Sequence, residues 1–280
     1  MAWFLDAGVD ETIGEVPQDR YAASLALQDQ RKAAAQAVLD PARQGAGAQK
    51  PVPVSATKSG SGSPRIGPAL VRPVETEVAK DALKRAVELA AAAQTLDDLR
   101  AALDGFDGCP LKKNAMNLVF GAGASDARLL LVGEAPEGDD DRQGVPFAGE
   151  NGLLLDKMLA AIGLARADVF MTNTVFWRPP GNRTPLAGEL AVCLPFVERM
   201  IELIDPAVLI AVGGAPAQSL MGKQGSVSRL RGHWFSYETG RMTHPIAASV
   251  LYHPKHLRAT PAHKRHAWAD LLAIRAKLAQ

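Results

Sequence analysis

The chain has 280 residues, 47 % hydrophobic and 22 % charged, enough for one large globular domain or a medium domain with an appendage. Its two cysteines exclude a disulfide framework and suit a reducing compartment, and no apolar run reaches the length of a membrane span. The formal charge of +1 hides an asymmetry: residues 222–280 carry ten Lys and Arg against two acids, net +8, which leaves −7 for the rest. All six histidines fall in that basic segment, a pattern that fits either a polyanion site or a solvated basic helix. The opening Met-Ala-Trp-Phe-Leu-Asp lacks the basic flank and apolar core of a secretion signal, so a cytoplasmic protein is expected.

Along the chain, residues 1–40 read as an N-terminal helical extension and residues 41–75 as a flexible linker. The linker is rich in Gly, Ser and Pro and too poor in apolar surface to offset its ordering entropy. A compact domain is expected over 76–280. Val78, Ala82, Ala86, Leu89, Ala93 and Leu96, three or four apart, predict a helix over 76–103. Four apolar runs follow, at 128–133, 168–173, 207–213 and 247–252, each rich in Val, Ile or Leu. They alternate with expected helices at 150–162, 186–204, 214–221 and 261–279. Buried strands separated by helices predict an α/β fold with a parallel sheet covered on both faces. Ligands in such sheets collect beyond the carboxyl ends of the strands.

Each run ends in unusual chemistry. After the first come Gly133-Glu134-Ala135-Pro136, three aspartates (Asp139, Asp140, Asp141) and Pro146-Phe147-Ala148-Gly149. Carboxylates there either hold a water or stabilise positive charge on a sugar, or else cap the next helix. Phe147 either stacks on a planar ring or belongs to the core. Asn173 ends the second run; its amide matches the N3–H and O4 edge of uracil, or closes an Asx-turn. The rigid Arg178-Pro179-Pro180-Gly181-Asn182-Arg183 offers Arg178 and Arg183 to phosphate, or shapes the wall of the site. His253 follows the fourth run and suits donation to an anion forming in the crevice. Beyond it, Lys255, His256, Arg258, His263, Lys264 and Arg265 form a basic ridge.

Together, in this order and at these spacings, the motifs resemble the uracil-DNA glycosylase superfamily, most closely its bacterial family 4. The resemblance runs from about Gly108 to Leu272 and includes Val119-Phe120-Gly121, Leu230-Arg231-Gly232 and Tyr252-His253-Pro254. It implies a three-layer α/β/α sandwich with a short, mainly parallel sheet, acting on uracil-containing DNA as a monomer. By this resemblance Ala135, Phe147 and Asn173 bind the base, with Phe147 stacking on it, and His253 stabilises the departing anion at O2. Glu134 and Asp140 place the attacking water and exclude a 5-methyl group. Arg178, Arg183, Lys255, Leu257 and Arg258 meet the DNA, with Leu257 in the wedge that enters the duplex.

The sequence departs from the family pattern in three places. Family 4 holds an iron–sulfur cluster on four cysteines; here Cys109 and Cys193 remain, and Phe106 and Trp177 occupy the other two positions. No cluster and no other metal or cofactor is expected, with aromatic packing filling that volume. Glu137 replaces a glycine after Gly-Glu-Ala-Pro. In the wedge segment Arg258 and Ala259 stand where Leu and Arg are usual. Two other readings stay open: a binding protein for uracil or abasic sites without turnover, and a glycosylase for deaminated purines such as hypoxanthine or xanthine.

Overall fold

The structure, a computed structural model, describes residues 73–280. The extension expected over 1–40 and nearly all of the linker expected over 41–75 lie outside the described residues. The first helix, α1 (Pro73–Ala92), begins three residues before the expected domain start. The helix expected over 76–103 is two helices, because Thr95 interrupts it and starts α2 (Leu96–Asp104). The Thr95 hydroxyl accepts from the Asp98 N–H at 3.1 Å and the Asp98 carboxylate accepts from the Thr95 N–H at 3.0 Å. This reciprocal cap satisfies donors that a continuous helix would have paired internally.

The remaining elements are β1 (Ala122–Gly123), β2 (Leu129–Gly133), α3 (Gly138–Gln143), α4 (Gly149–Ala160), β3 (Phe170–Asn173), α5 (Ala187–Ile204) and β4 (Val208–Val212). After them come α6 (Gly214–Met221), α7 (Val227–Leu230), β5 (Phe235–Tyr237), β6 (Ile246–Leu251), α8 (Pro254–Ala259) and α9 (Lys264–Leu278). One six-stranded sheet runs in the order β1-β3-β2-β4-β6-β5. The four strands expected from the apolar runs pair in parallel at its centre, and the short β1 and β5 close the edges antiparallel.

β2, β3 and β4 are buried along their whole length and β6 along nearly all of it, which is why they read as continuous apolar runs rather than as alternations. Successive side chains still divide between the two faces. Leu130, Val132 and Leu209 pack with Leu99, Phe196 and Ile201 from α2 and α5, while Leu129, Leu131 and Ile210 pack with Leu155, Leu257 and Leu271 from α4, α8 and α9. The result is the expected three-layer sandwich. Among the described residues no helix is long and apolar enough to cross a membrane. All four central strands point the same way, so Asn173, which ends β3, and Glu134, Gly213 and Tyr252, which follow the other three, share one edge.

Candidate active site at the carboxyl ends of the strands

A crevice of about 400 Å³ opens on that edge, walled by Glu134, Ala135, Pro136 and Glu137 on one side and by His253, Lys255 and His256 on the other. Thus Glu134, Ala135 and His253, inferred from separate stretches of sequence, share one cavity. No hydrogen bond among the described residues engages the Glu134 carboxylate, whereas its backbone carbonyl accepts from the Thr174 hydroxyl at 2.5 Å. The turn is therefore pinned through its backbone while the acid stays available.

Asn173 and Phe147 lie behind this wall, 2 % and 4 % exposed. Gly133 and Asn173 are register partners on adjacent strands. A Cβ on Gly133 would stand 2.3 Å from Asn173 Oδ1 and 2.8 Å from Phe147 Cζ, so only glycine lets the amide and the ring come this close. Asn173 Nδ2 is buried without a hydrogen-bond partner, alone in this among the described side chains. A buried orphan donor costs about 1–3 kcal/mol, a cost commonly retained where a ligand supplies the partner.

Phe147 has a left-handed backbone (φ 52), which a bulky residue adopts only under constraint. Two groups supply it. Arg166, held by Asp156 at 2.8 Å, donates to the carbonyls of Pro146 at 3.2 Å and Phe147 at 2.6 Å. Asp140 accepts from the Ala148 N–H at 2.6 Å and from the Glu137 N–H at 3.0 Å. Gly152 completes the fit, since a Cβ there would stand 1.7 Å from the Phe147 carbonyl oxygen.

Each oxygen of Asp140 accepts one backbone N–H and the residue does not wall the crevice, so it ties the Glu137 turn to the loop that carries Phe147. Burial pushes its carboxyl up, against the downward pull of those two bonds. Arg166 was missed from the sequence. It lies in a short turn before β3, and nothing local announces a bond to a loop nineteen residues earlier.

His253 caps α8: its Nδ1 accepts from the Lys255 N–H at 3.2 Å. In the neutral imidazole that bond leaves the proton on Nε2, a donor. Burial lowers the pKa of His253 below the ordinary 6.5; Glu137 raises it and Lys255 lowers it. The Phe147 ring lies 5.9 Å from the imidazole.

The groups expected to meet DNA divide. Lys255 donates to Glu137 Oε1 at 2.9 Å, and Glu137 Oε2 accepts from Asn151 at 3.0 Å. Arg258 donates to Asn151 Oδ1 at 3.2 Å and pairs with Glu150. Glu137 therefore ties the acidic turn to α8 across the mouth of the crevice. Arg178 bonds Asn182 at 2.7 Å and is half-buried. Arg183 makes a two-pronged pair with buried Glu189 at 2.8 and 2.6 Å and walls the crevice. Leu257, expected to wedge into a duplex, is 1 % exposed and packs in the core with Leu155 and Leu271. Its helix turns that side chain toward the sheet because it is the apolar residue of a one-sided helix.

Cys109 and Cys193 are both buried, with sulfurs 3.9 Å apart. The hydrogen bond from the Cys193 thiol to Cys109, together with burial, holds Cys193 protonated. Phe106 and Trp177 are buried in the same cluster, and Phe106 meets Phe196 at 5.3 Å. Among the described residues no group of three or more His, Cys, Asp or Glu is placed to hold a metal ion. Two sulfurs and two aromatic rings do not fit a cluster that needs four thiolates.

The sequence profile of the Uracil DNA glycosylase superfamily matches residues 120–272. A type-4 uracil-DNA glycosylase of Thermotoga maritima is 38 % identical over 150 residues, 53 % of this chain and 76 % of that one. Those of Archaeoglobus fulgidus (37 % over 165 residues, 58 % and 82 %) and Pyrobaculum aerophilum (35 % over 181 residues, 63 % and 91 %) are similar as well. The match spans all six strands and the four strand-end loops, and leaves out α1 and α2. The chain belongs to the uracil-DNA glycosylase superfamily.

Proposed function

We propose that the protein removes uracil from DNA, hydrolysing the N-glycosidic bond to release the base and leave an abasic site. The observation that carries this reading is the orphan amide of Asn173, buried beside the Phe147 ring and behind the crevice that His253 walls. Uracil turned out of the helix presents O4 to the Asn173 amide N–H and N3–H to its oxygen, while Phe147 stacks on the ring. The bond from C1′ to N1 breaks with its electron pair going to the base. The neutral His253 donates from Nε2 to O2, where the negative charge of the departing anion collects. The sugar develops oxocarbenium character, which the Glu134 carboxylate stabilises. Water adds to C1′, and Glu134 orients it and takes its proton. Lys255, Arg258 and Arg178 meet phosphate; the first two exchange an acidic partner for it.

The same reading includes the absence of a bound cluster, supported by the two-sulfur, two-aromatic site. Iron at stoichiometric level in protein purified without oxygen would overturn it. The same reading includes action as a monomer on uracil-containing DNA. Two unpaired, buried thiols fit a reducing cytoplasm.

The test is release of free uracil from an oligonucleotide, with an alkali-labile site left behind. Asn173→Ala and His253→Ala are expected to abolish most of it. A gel shift without release would favour the binding protein, and equal rates on hypoxanthine or xanthine would favour the purine enzyme.

A further inference from the structure

With Leu257 in the core, the exposed face of α8 beside the crevice presents a different group. His256 and His263 are joined by a hydrogen bond of 2.7 Å between Nε2 and Nδ1. Both rings stack on Tyr252, with centroids at 4.9 and 5.0 Å and planes within 16° and 17° of its own. The two imidazole centroids are themselves 5.0 Å apart. Rings on opposite faces of the phenol would stand about twice that far apart, so the imidazoles lie side by side in one layer over one face of Tyr252.

This layer is built in. Tyr252 is 5 % exposed, with the Arg231 guanidinium 6.0 Å from its ring, and Arg231 is held by Asp270 at 2.7 and 2.8 Å and by the His266 carbonyl at 2.8 Å. His266 lies beside His263 with ring centroids 6.0 Å apart and planes tilted by 56°. His256 is exposed and His263 half-buried, so the layer keeps a face toward solvent. His256 also walls both the main crevice and a neighbouring cavity of about 380 Å³, and both cavities reach Glu134 and His253.

We infer that the His256–His263 pair is a stacking platform for an unpaired nucleobase, the one next to the uracil on the same strand. A pair of hydrogen-bonded rings about the size of a base, their planes 28° apart, offers stacking without sequence preference. The neighbouring Lys255, Arg258, Lys264 and Arg265 supply the positive charge that a strand backbone requires. A platform of this kind receives a base already free of its complement, whereas a wedge has to enter a duplex. It therefore favours single-stranded substrate. The inference rests on the uracil-excision reading, and the two can fail separately.

The test uses single strands carrying one 2′-fluoro-deoxyuridine, whose glycosidic bond resists hydrolysis, with each neighbouring nucleotide either normal or replaced by a baseless spacer. Binding is read by fluorescence anisotropy, and uracil release is measured in parallel on unmodified deoxyuridine strands. For the unaltered protein, removing the base on one side of the uracil is expected to weaken binding about tenfold, the usual scale for one stacked base. His256→Ala should bind the full strand about tenfold more weakly and no longer distinguish the two strands, while His256→Phe should keep most of the discrimination. Equal binding of both strands by the unaltered protein, or full discrimination by His256→Ala, overturns the platform. Discrimination without uracil release overturns the glycosylase reading and leaves the platform standing.

Discussion

Replacing Asn173 with alanine separates recognition from folding, because the two effects have opposite signs. In the free protein Nδ2 is buried without a partner. Deleting it removes a penalty of about 1–3 kcal/mol, which offsets the packing lost with the amide atoms. Stability should then change by no more than about 1 kcal/mol, a melting shift of about 2–4 °C for a domain of this size. With substrate bound, the same change strands the N3–H and O4 of uracil in a dry site. At about 1–3 kcal/mol each, the loss is about 2–6 kcal/mol, or about thirtyfold to more than ten-thousandfold in kcat/KM. Uracil release under single-turnover conditions and thermal melting of the same preparation measure the two sides. Wild-type kcat/KM in the variant would refute the assignment of the amide. A melting temperature lowered by about 8 °C or more would show that Asn173 holds the fold instead.

Three further outcomes are expected. The active form of His253 is neutral and its pKa is lowered, so the acidic limb of kcat/KM should lie below the ordinary imidazole value of 6.5; Lys255→Ala should move it up and Glu137→Gln down. The same group binds protons more readily when unfolded, so stability should fall as pH drops through 6.5 toward the lower native pKa. Glu137→Gly frees Lys255 from an exposed ion pair and should tighten binding to DNA about two- to fivefold at low salt, with the gain shrinking as salt rises; unchanged affinity in an anisotropy titration would mean that Lys255 does not meet phosphate. Leu257→Ala should cost about 2–5 kcal/mol in denaturant unfolding as a core cavity, and a loss of DNA affinity with stability intact would restore the wedge.

The sheet was legible because parallel strands buried on both faces must be apolar throughout, and the runs ending at Gly133, Asn173, Gly213 and Tyr252 had no other use for so much Val, Ile and Leu. The break at Thr95 was also present in the sequence, as a Thr three residues before Asp98, although helical periodicity continued across it. The edge strands β1 and β5 were not legible, since two or three residues carry no period and form only because a neighbour offers free hydrogen-bonding groups.

At the site, sequence alone determined which residue types stand at the strand ends, and therefore that a carboxylate, an amide, an aromatic ring and an imidazole converge on one edge. Tertiary structure decided what each is free to do. Asp140 and Arg183 look as available as Glu134 and Arg178 in the sequence, but folding brings backbone N–H groups to the first and a buried glutamate to the second. Leu257 and His256 are neighbours in the chain, yet one helix turns the first into the core and the second onto a phenol ring beside the crevice. Local sequence specifies a side chain and the direction of its element. Which hydrogen-bonding groups are already occupied depends on partners more than a hundred residues away, and only the folded chain brings those together.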